Sequence, residues 1–239
     1  MAILHQMLHI CDILQHFAEE EPPMYFEPHA FFLARSGVLT LAYSGFPTGI
    51  LRIQDALDDV DQLPVRTPGS IWPKTTIGAL HDGTVLNRRE IEEVLRLSES
   101  WKPKLAECNP VPIRTIATVE YESRSLEKVD YVMATEFSGN RQSTGSVISD
   151  EHRRVVANIL SQFSAEWLDL YQEEIQSPGH HASHYNTAAR GRTVIIDVEQ
   201  KDVAFIADFI ADVDRTLPGY YSWFDPRCYH VTVRNLSRV

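Results

Sequence analysis

Apolar residues recur every three or four positions in several segments, the spacing that places them on one face of a helix. The first such segment covers about residues 1–18, and the prolines at 22 and 23 end it. Further helices are predicted over 45–60, 87–101, about 151–171 and 202–217. At the start of the third helix, Asn87 followed three residues later by Glu90 is typical of a capping box.

Shorter runs rich in β-branched and aromatic residues predict strands between these helices. The strands are expected over 38–43, 113–121, 129–137, 193–198 and 228–235, with another in 68–80 after a turn. Helices and strands therefore alternate only in part. Because purely parallel sheets alternate more strictly, the order predicts an α+β fold with mixed or antiparallel sheets.

Composition narrows the function classes. The 239 residues are 44% hydrophobic and carry a formal net charge of −11, which fits a folded domain and argues against binding to long duplex nucleic acid. A local pocket for one phosphate remains compatible with that charge. The three cysteines form neither a disulfide framework nor a metal motif, and no signal peptide or membrane-spanning run is visible. We therefore expect a cytoplasmic protein with no membrane partner.

The last predicted strand, "CYHVTVRN", has one polar face. Successive strand side chains point to opposite sides, so His230, Thr232 and Arg234 share a face. In "WPKTTIGAL", Lys74 and Thr76 share a face in the same way. Two such strands side by side would place two nitrogen-bearing groups and two hydroxyls around one phosphate.

These two strands, with the order of the elements around them, resemble the two-histidine phosphoesterases. That superfamily includes the RNA 2′,3′-cyclic phosphodiesterases and the so-called 2′–5′ RNA ligases. "WFDPRCYHVTVRN" is similar to its second H-x-T motif, whereas "WPKTTIGAL" stands in the place of the first motif with Lys74 instead of a histidine. The resemblance implies two pseudo-symmetric lobes around a central cleft.

The resemblance covers roughly residues 36–137 and 193–236. We therefore expect a helical extension over 1–35, a two-lobed domain over 36–239, and an insertion at about 138–192. It implies a substrate with a nucleotide or RNA-end phosphodiester and no metal or organic cofactor. Nothing in the chain predicts the oligomeric state.

The resemblance also implies roles for individual residues. His230 would be the acid/base residue, with Thr76 and Thr232 as phosphate anchors and Lys74 as an electrostatic partner. A lysine with an ordinary pKa is a poor base at pH 7 unless burial lowers that pKa. Arg234 would reach the anionic ligand or, alternatively, pair with a carboxylate. For His230 alone, the alternative is a histidine satisfied within a half-buried strand.

Two further groups of residues have competing interpretations. Tyr221 and Trp223 are candidates for base stacking, although such an aromatic run is more often part of a core. His180, His181 and His184 cluster like metal ligands, but the glycine-flanked segment favours a surface loop.

Three functions thus remain open for the cleft. It belongs to a phosphodiesterase with altered specificity or rate, it binds a nucleotide or phosphate without cleaving it, or the fold serves as a scaffold for protein contacts.

Overall fold

The computed structural model describes residues 2–138, 147–176 and 179–237, which form seven α-helices and ten strands. The helices are α1 Ala2–Glu20, α2 Thr48–Asp58, α3 Arg88–Ala106, α4 Asp150–Leu160, α5 Leu168–Glu174, α6 Ala182–Asn186 and α7 Phe205–Thr216. The strands are β1 Met24–Phe26, β2 Pro28–Leu33, β3 Leu39–Tyr43, β4 Lys74–Leu80, β5 Val111–Ile113, β6 Thr115–Ser123, β7 Val129–Glu136, β8 Ala188–Asp197, β9 Tyr221–Trp223 and β10 His230–Asn235. The predicted α+β class is confirmed.

All described strand pairs are antiparallel and form three sheets. One four-stranded sheet has the order β2-β3-β4-β9, and we call it the N-terminal sheet. The other has the order β10-β8-β6-β7, and we call it the C-terminal sheet. β1 and β5 make a separate pair. Because β9 joins the N-terminal sheet just before β10 enters the other, the end of the chain links the two sheets.

The core lies between the sheets and the helices that cover them. β3 is buried along its whole length, as expected for a strand covered on both faces. The inner face of α3 includes Ile91, Val94 and Leu95, all buried, and the predicted capping box at Asn87 is present. Beside α3, Phe31 of β2 stacks on Phe209 of α7 with ring centroids 3.7 Å apart, and both rings contact Trp101 of α3.

The structure corrects the expected helical extension over 1–35. The helix ends at Glu20, and residues 24–33 form β1 and β2. β2 is the edge strand of the N-terminal sheet and pairs with β3. The sequence "MYFEPHAFFL" is rich in aromatic and apolar residues, which favour strands. The N-terminal part of the chain therefore belongs to the main core.

The helix expected at about 151–171 is two helices. α4 starts at the cap residue Ser149, whose side chain accepts the backbone N–H of His152, and it ends at Leu160. Ser164 is extended, with φ −103° and ψ 170°, and breaks the helical path before α5. Within the expected insertion, residues 139–146 and 177–178 lie outside the described part of the chain.

None of the helices in the described residues is both long enough and apolar enough to cross a lipid bilayer.

Candidate functional site

β4 and β10, the two strands with the paired motifs, meet where the two sheets meet. The hydroxyl of Thr75 donates to the backbone carbonyl of His230 at 3.2 Å, and the Tyr43 hydroxyl lies 3.0 Å from the same Thr75 oxygen. Because Thr75 donates to His230, Tyr43 supplies the proton of the second bond. Thr75 is fully buried, so its neighbours Lys74 and Thr76 project from the opposite side of β4.

A cavity of about 50 Å³ opens on that side, and we call it the small cavity. It is lined by Gly69, Trp72, Lys74, Thr76, His230 and Thr232. A water needs about 10–15 Å³ by this kind of measure, so the cavity has room for a small polyatomic group. Four of the residues singled out from the sequence are therefore brought together: Lys74, Thr76, His230 and Thr232.

Lys74 is held inside the small cavity by two contacts. Its Nζ donates to the backbone carbonyl of Gly69 and lies 4.5 Å from the centroid of the Trp72 ring. Burial of the ammonium lowers the pKa of Lys74 to about 8. Lys74 is therefore mostly protonated at pH 7, yet close enough to its pKa to exchange a proton.

His230 faces Lys74 across the cavity with a defined tautomer. Its Nδ1 lies 2.8 Å from the carbonyl oxygen of Cys228, and because a carbonyl only accepts, Nδ1 carries the proton. In the neutral ring, Nε2 then has the free lone pair. Burial and, to a lesser degree, the charge of Lys74 lower the pKa of His230, although its bond to Cys228 opposes this shift. His230 is therefore neutral at pH 7.

The turn that supports Lys74 is fixed by the fully buried Gln54 of α2. Its Nε2 donates to the carbonyl of Ser70 at 2.9 Å and to the carbonyl of Val233 in β10 at 2.8 Å. One amide thus ties the turn before β4 to the strand of His230. The same turn contains Gly69, whose carbonyl accepts a hydrogen bond from Lys74.

Replacing Thr75 with valine is expected to lower the free energy of unfolding by about 1–3 kcal/mol. The substitution keeps the shape but leaves the buried His230 carbonyl and the Tyr43 hydroxyl without their partner. Denaturant unfolding measures the loss, with Thr216→Val on α7 as the matched control, since the Thr216 hydroxyl donates to the Asp212 carbonyl of its own helix. Equal stability of Thr75→Val and wild type would contradict the bridging role.

The structure does not place Arg234 in the lining of the small cavity. The pairing of β10 with β8 shifts register between Thr232 and Arg234, which breaks the two-residue alternation on which the expectation depended. Arg234 is 2% exposed, and its guanidinium bonds Asp58 at 2.8 Å and the carbonyl of Pro64 at 2.5 Å. Arg234 therefore pairs with the carboxylate of Asp58, as the alternative interpretation of the sequence predicted.

Tyr221 and Trp223 are also engaged elsewhere. Their rings stack on each other with centroids 5.0 Å apart, and Tyr221 is buried. Trp223 covers Gly78 so closely that a Cβ there would lie 2.5 Å from its ring, and its Nε1 donates to Asp214. The two rings therefore pack on the N-terminal sheet, and the structure does not support base stacking on them.

The histidine-rich segment forms a short structured element rather than an open loop. His181 precedes α6, and the rings of His180 and His184 lie 4.3 Å apart. Over the residues that the structure describes, no three histidine, cysteine or carboxylate side chains gather as metal ligands. This segment does not line the small cavity.

A second cavity of about 530 Å³ adjoins His230, and we call it the large cavity. It is lined by Leu126, Glu127, Val129, Tyr131, Ile195, Asp197, Asp225, Arg227, Cys228 and His230. Asp197 of β8 is the direct cross-strand partner of His230 and accepts the Tyr131 hydroxyl at 3.0 Å. Burial raises the pKa of Asp197.

Sequence reasoning missed Asp197 and Tyr131. The available signal was an acidic residue at the end of the apolar run "TVIID", which is unusual for a buried strand. The strand pairing that places Asp197 beside His230 is not readable from that run alone.

Comparisons with known proteins give no relative for this chain: no family model, no curated protein and no solved structure matches it.

Proposed function

We propose that the protein is a phosphodiesterase-like protein of the two-histidine phosphoesterase type, acting without a metal ion on a nucleotide or RNA-end cyclic phosphodiester. The observation that carries this proposal is the small cavity itself. Two strands from different sheets contribute Lys74 and Thr76, and His230 and Thr232, to one enclosed space. This is the pairing that the two motifs imply.

In this mechanism His230 and Lys74 have complementary roles, as base and as acid. His230, neutral and with Nε2 free, takes a proton from the attacking water. As the water oxygen bonds to phosphorus, the bond to one ribose oxygen breaks and that oxygen gains negative charge. Lys74, protonated at pH 7, stabilises this charge and can supply the proton.

The two threonines suit the holding of the phosphate. Thr76 and Thr232 both line the small cavity, on the strands of Lys74 and His230 respectively. A hydroxyl donates one hydrogen bond to a phosphoryl oxygen, and together with Lys74 this provides three donors. The negative net charge of the chain is no obstacle, because the cavity itself carries a cation.

A second function is a binding module that holds a nucleotide or phosphate without cleaving it. The observation in its favour is the fixed position of Lys74, whose Nζ already bonds Gly69 and lies over Trp72. A cation held in this way is well placed to bind an anion, and binding requires no base.

The test is a panel of 2′,3′-cyclic nucleotides and cyclic-phosphate-ended RNA, with products followed by chromatography. We expect turnover by the wild-type protein and a loss of about tenfold or more in the double variant Thr76→Val, Thr232→Val, which removes both hydroxyls. Thr216→Val serves as the control. Binding of the panel without turnover would favour the binding module, and neither binding nor turnover would refute the proposal.

A further inference from the structure

The small cavity and the large cavity are adjacent, and His230 lines both of them. The imidazole lines both the small cavity with Lys74 and the large cavity with Asp197. A phosphate held in the small cavity therefore has the large cavity next to it, at His230. Because His230 borders both cavities, a group esterified to that phosphate would lie beside the large cavity.

The size and walls of the large cavity suit an organic group. Its 530 Å³ lies within the range of about 300–1,000 Å³ that small-molecule sites have. Leu126, Val129 and Ile195 give it an apolar part, and the Tyr131 hydroxyl and the carboxylates give it a polar part. This mixture fits a ring system that also bears hydroxyl or amino groups.

The charges of the two cavities are opposite. Among the described residues, Lys74 and no carboxylate line the small cavity, whereas Glu127, Asp197 and Asp225 line the large cavity together with Arg227. Arg227 is bonded to Asp225, with Nε 3.0 Å from both carboxylate oxygens, so this pair is neutral together.

Among the described residues, neither of the other two carboxylates, Asp197 and Glu127, has an ion-pair partner. Asp197 accepts the neutral hydroxyl of Tyr131, and Glu127 accepts the backbone N–H of Asp225 at 3.4 Å. Carboxylates attract hydrogen-bond donors and repel a second phosphate.

We propose that the large cavity receives the alcohol part of the substrate, and that Asp197 and Glu127 select phosphodiesters whose alcohol carries no second phosphate. A mononucleoside 2′,3′-cyclic phosphate meets this condition, and a 5′-phosphorylated nucleotide or an RNA end does not. This inference rests on the proposed function and narrows its substrate class. Repulsion of the wrong ligand is a common source of specificity.

The test compares adenosine 2′,3′-cyclic phosphate with the same compound carrying a 5′-phosphate. Both kcat/KM and the dissociation constant from calorimetry are measured. We expect the wild-type protein to prefer the compound without the 5′-phosphate by about tenfold or more. Asp197→Asn and Glu127→Gln should each narrow this preference about threefold, chiefly through KM, because each removes one negative charge without changing the shape.

The matched control is Asp169→Asn, which makes the same change of charge on α5, at a side chain 92% exposed and outside both cavities. An equal preference for the two compounds, or a preference that survives unchanged in the Asp197 and Glu127 variants, overturns the inference while turnover leaves the proposed function standing. If neither compound is turned over or bound, the proposed function fails, and the inference fails with it.

Discussion

Replacing His230 with alanine is expected to lower kcat/KM for a cyclic phosphodiester by about 10²–10⁴-fold, the usual contribution of a positioned acid–base group. His230 supplies the only imidazole of the small cavity in the described structure. Its Nδ1 is committed to the Cys228 carbonyl, which orients Nε2 as the acceptor. Initial rates over a range of substrate concentrations measure the effect.

The matched control for this prediction is His81→Ala. His81 is an exposed histidine directly after β4 and lies outside the small cavity. It should keep the wild-type rate. Denaturant unfolding shows whether His230→Ala still folds, since the alanine leaves the Cys228 carbonyl without its donor. A well-folded His230→Ala protein with a rate within about threefold of wild type would exclude His230 as the base.

The sequence was sufficient to predict which of the cavity's polar residues share a strand face, but not the contact that joins the two strands. Alternation along two short strands grouped Lys74 with Thr76 and His230 with Thr232, because each strand is regular over those three positions. What brought the two groups together is long-range. The bond from Thr75 to the His230 carbonyl joins residues 155 positions apart, and no local pattern encodes such a contact.

The failures have physical causes at particular residues. Arg234 lies only two residues beyond Thr232, but the register shift between them turns it to Asp58 and away from the cavity. Asp197 was overlooked because its role comes from its cross-strand partner. The aromatic pair Tyr221 and Trp223 was ambiguous from composition, and the close approach to Gly78 decided in favour of packing.

In the proposed mechanism, Lys74 changes the electrostatics of the small cavity and still supplies a proton donor. Enclosure makes a charge on Lys74 costly, which lowers its pKa to about 8, and the charge that remains helps to keep His230 neutral. The charge of Lys74 thereby favours the neutral state of His230 that the proposed role as a base requires. An exposed lysine would also carry a charge, but its pKa would not be lowered by burial and its charge would not help to keep His230 neutral.

With His230 as the base and Lys74 as the acid, the proposed mechanism predicts a bell-shaped dependence of kcat/KM on pH. His230 acts as a base only when neutral, so the rate should rise with pH through its lowered pKa, below the ordinary value of 6.5. Lys74 acts only when protonated, so the rate should fall as pH passes about 8. The optimum lies between the two pKa values.

Substitutions at position 74 test the alkaline side of this profile. Lys74→Met is expected to lower kcat/KM by about 10²–10³-fold, the cost of removing one charged donor from a transition state. Lys74→Arg keeps the charge and, because an arginine does not titrate below pH 12, should lose the decline above pH 8 while retaining more activity than the methionine variant. A wild-type rate that rises above pH 8 would instead show Lys74 acting as the base, and an unchanged decline in Lys74→Arg would assign that titration to another group.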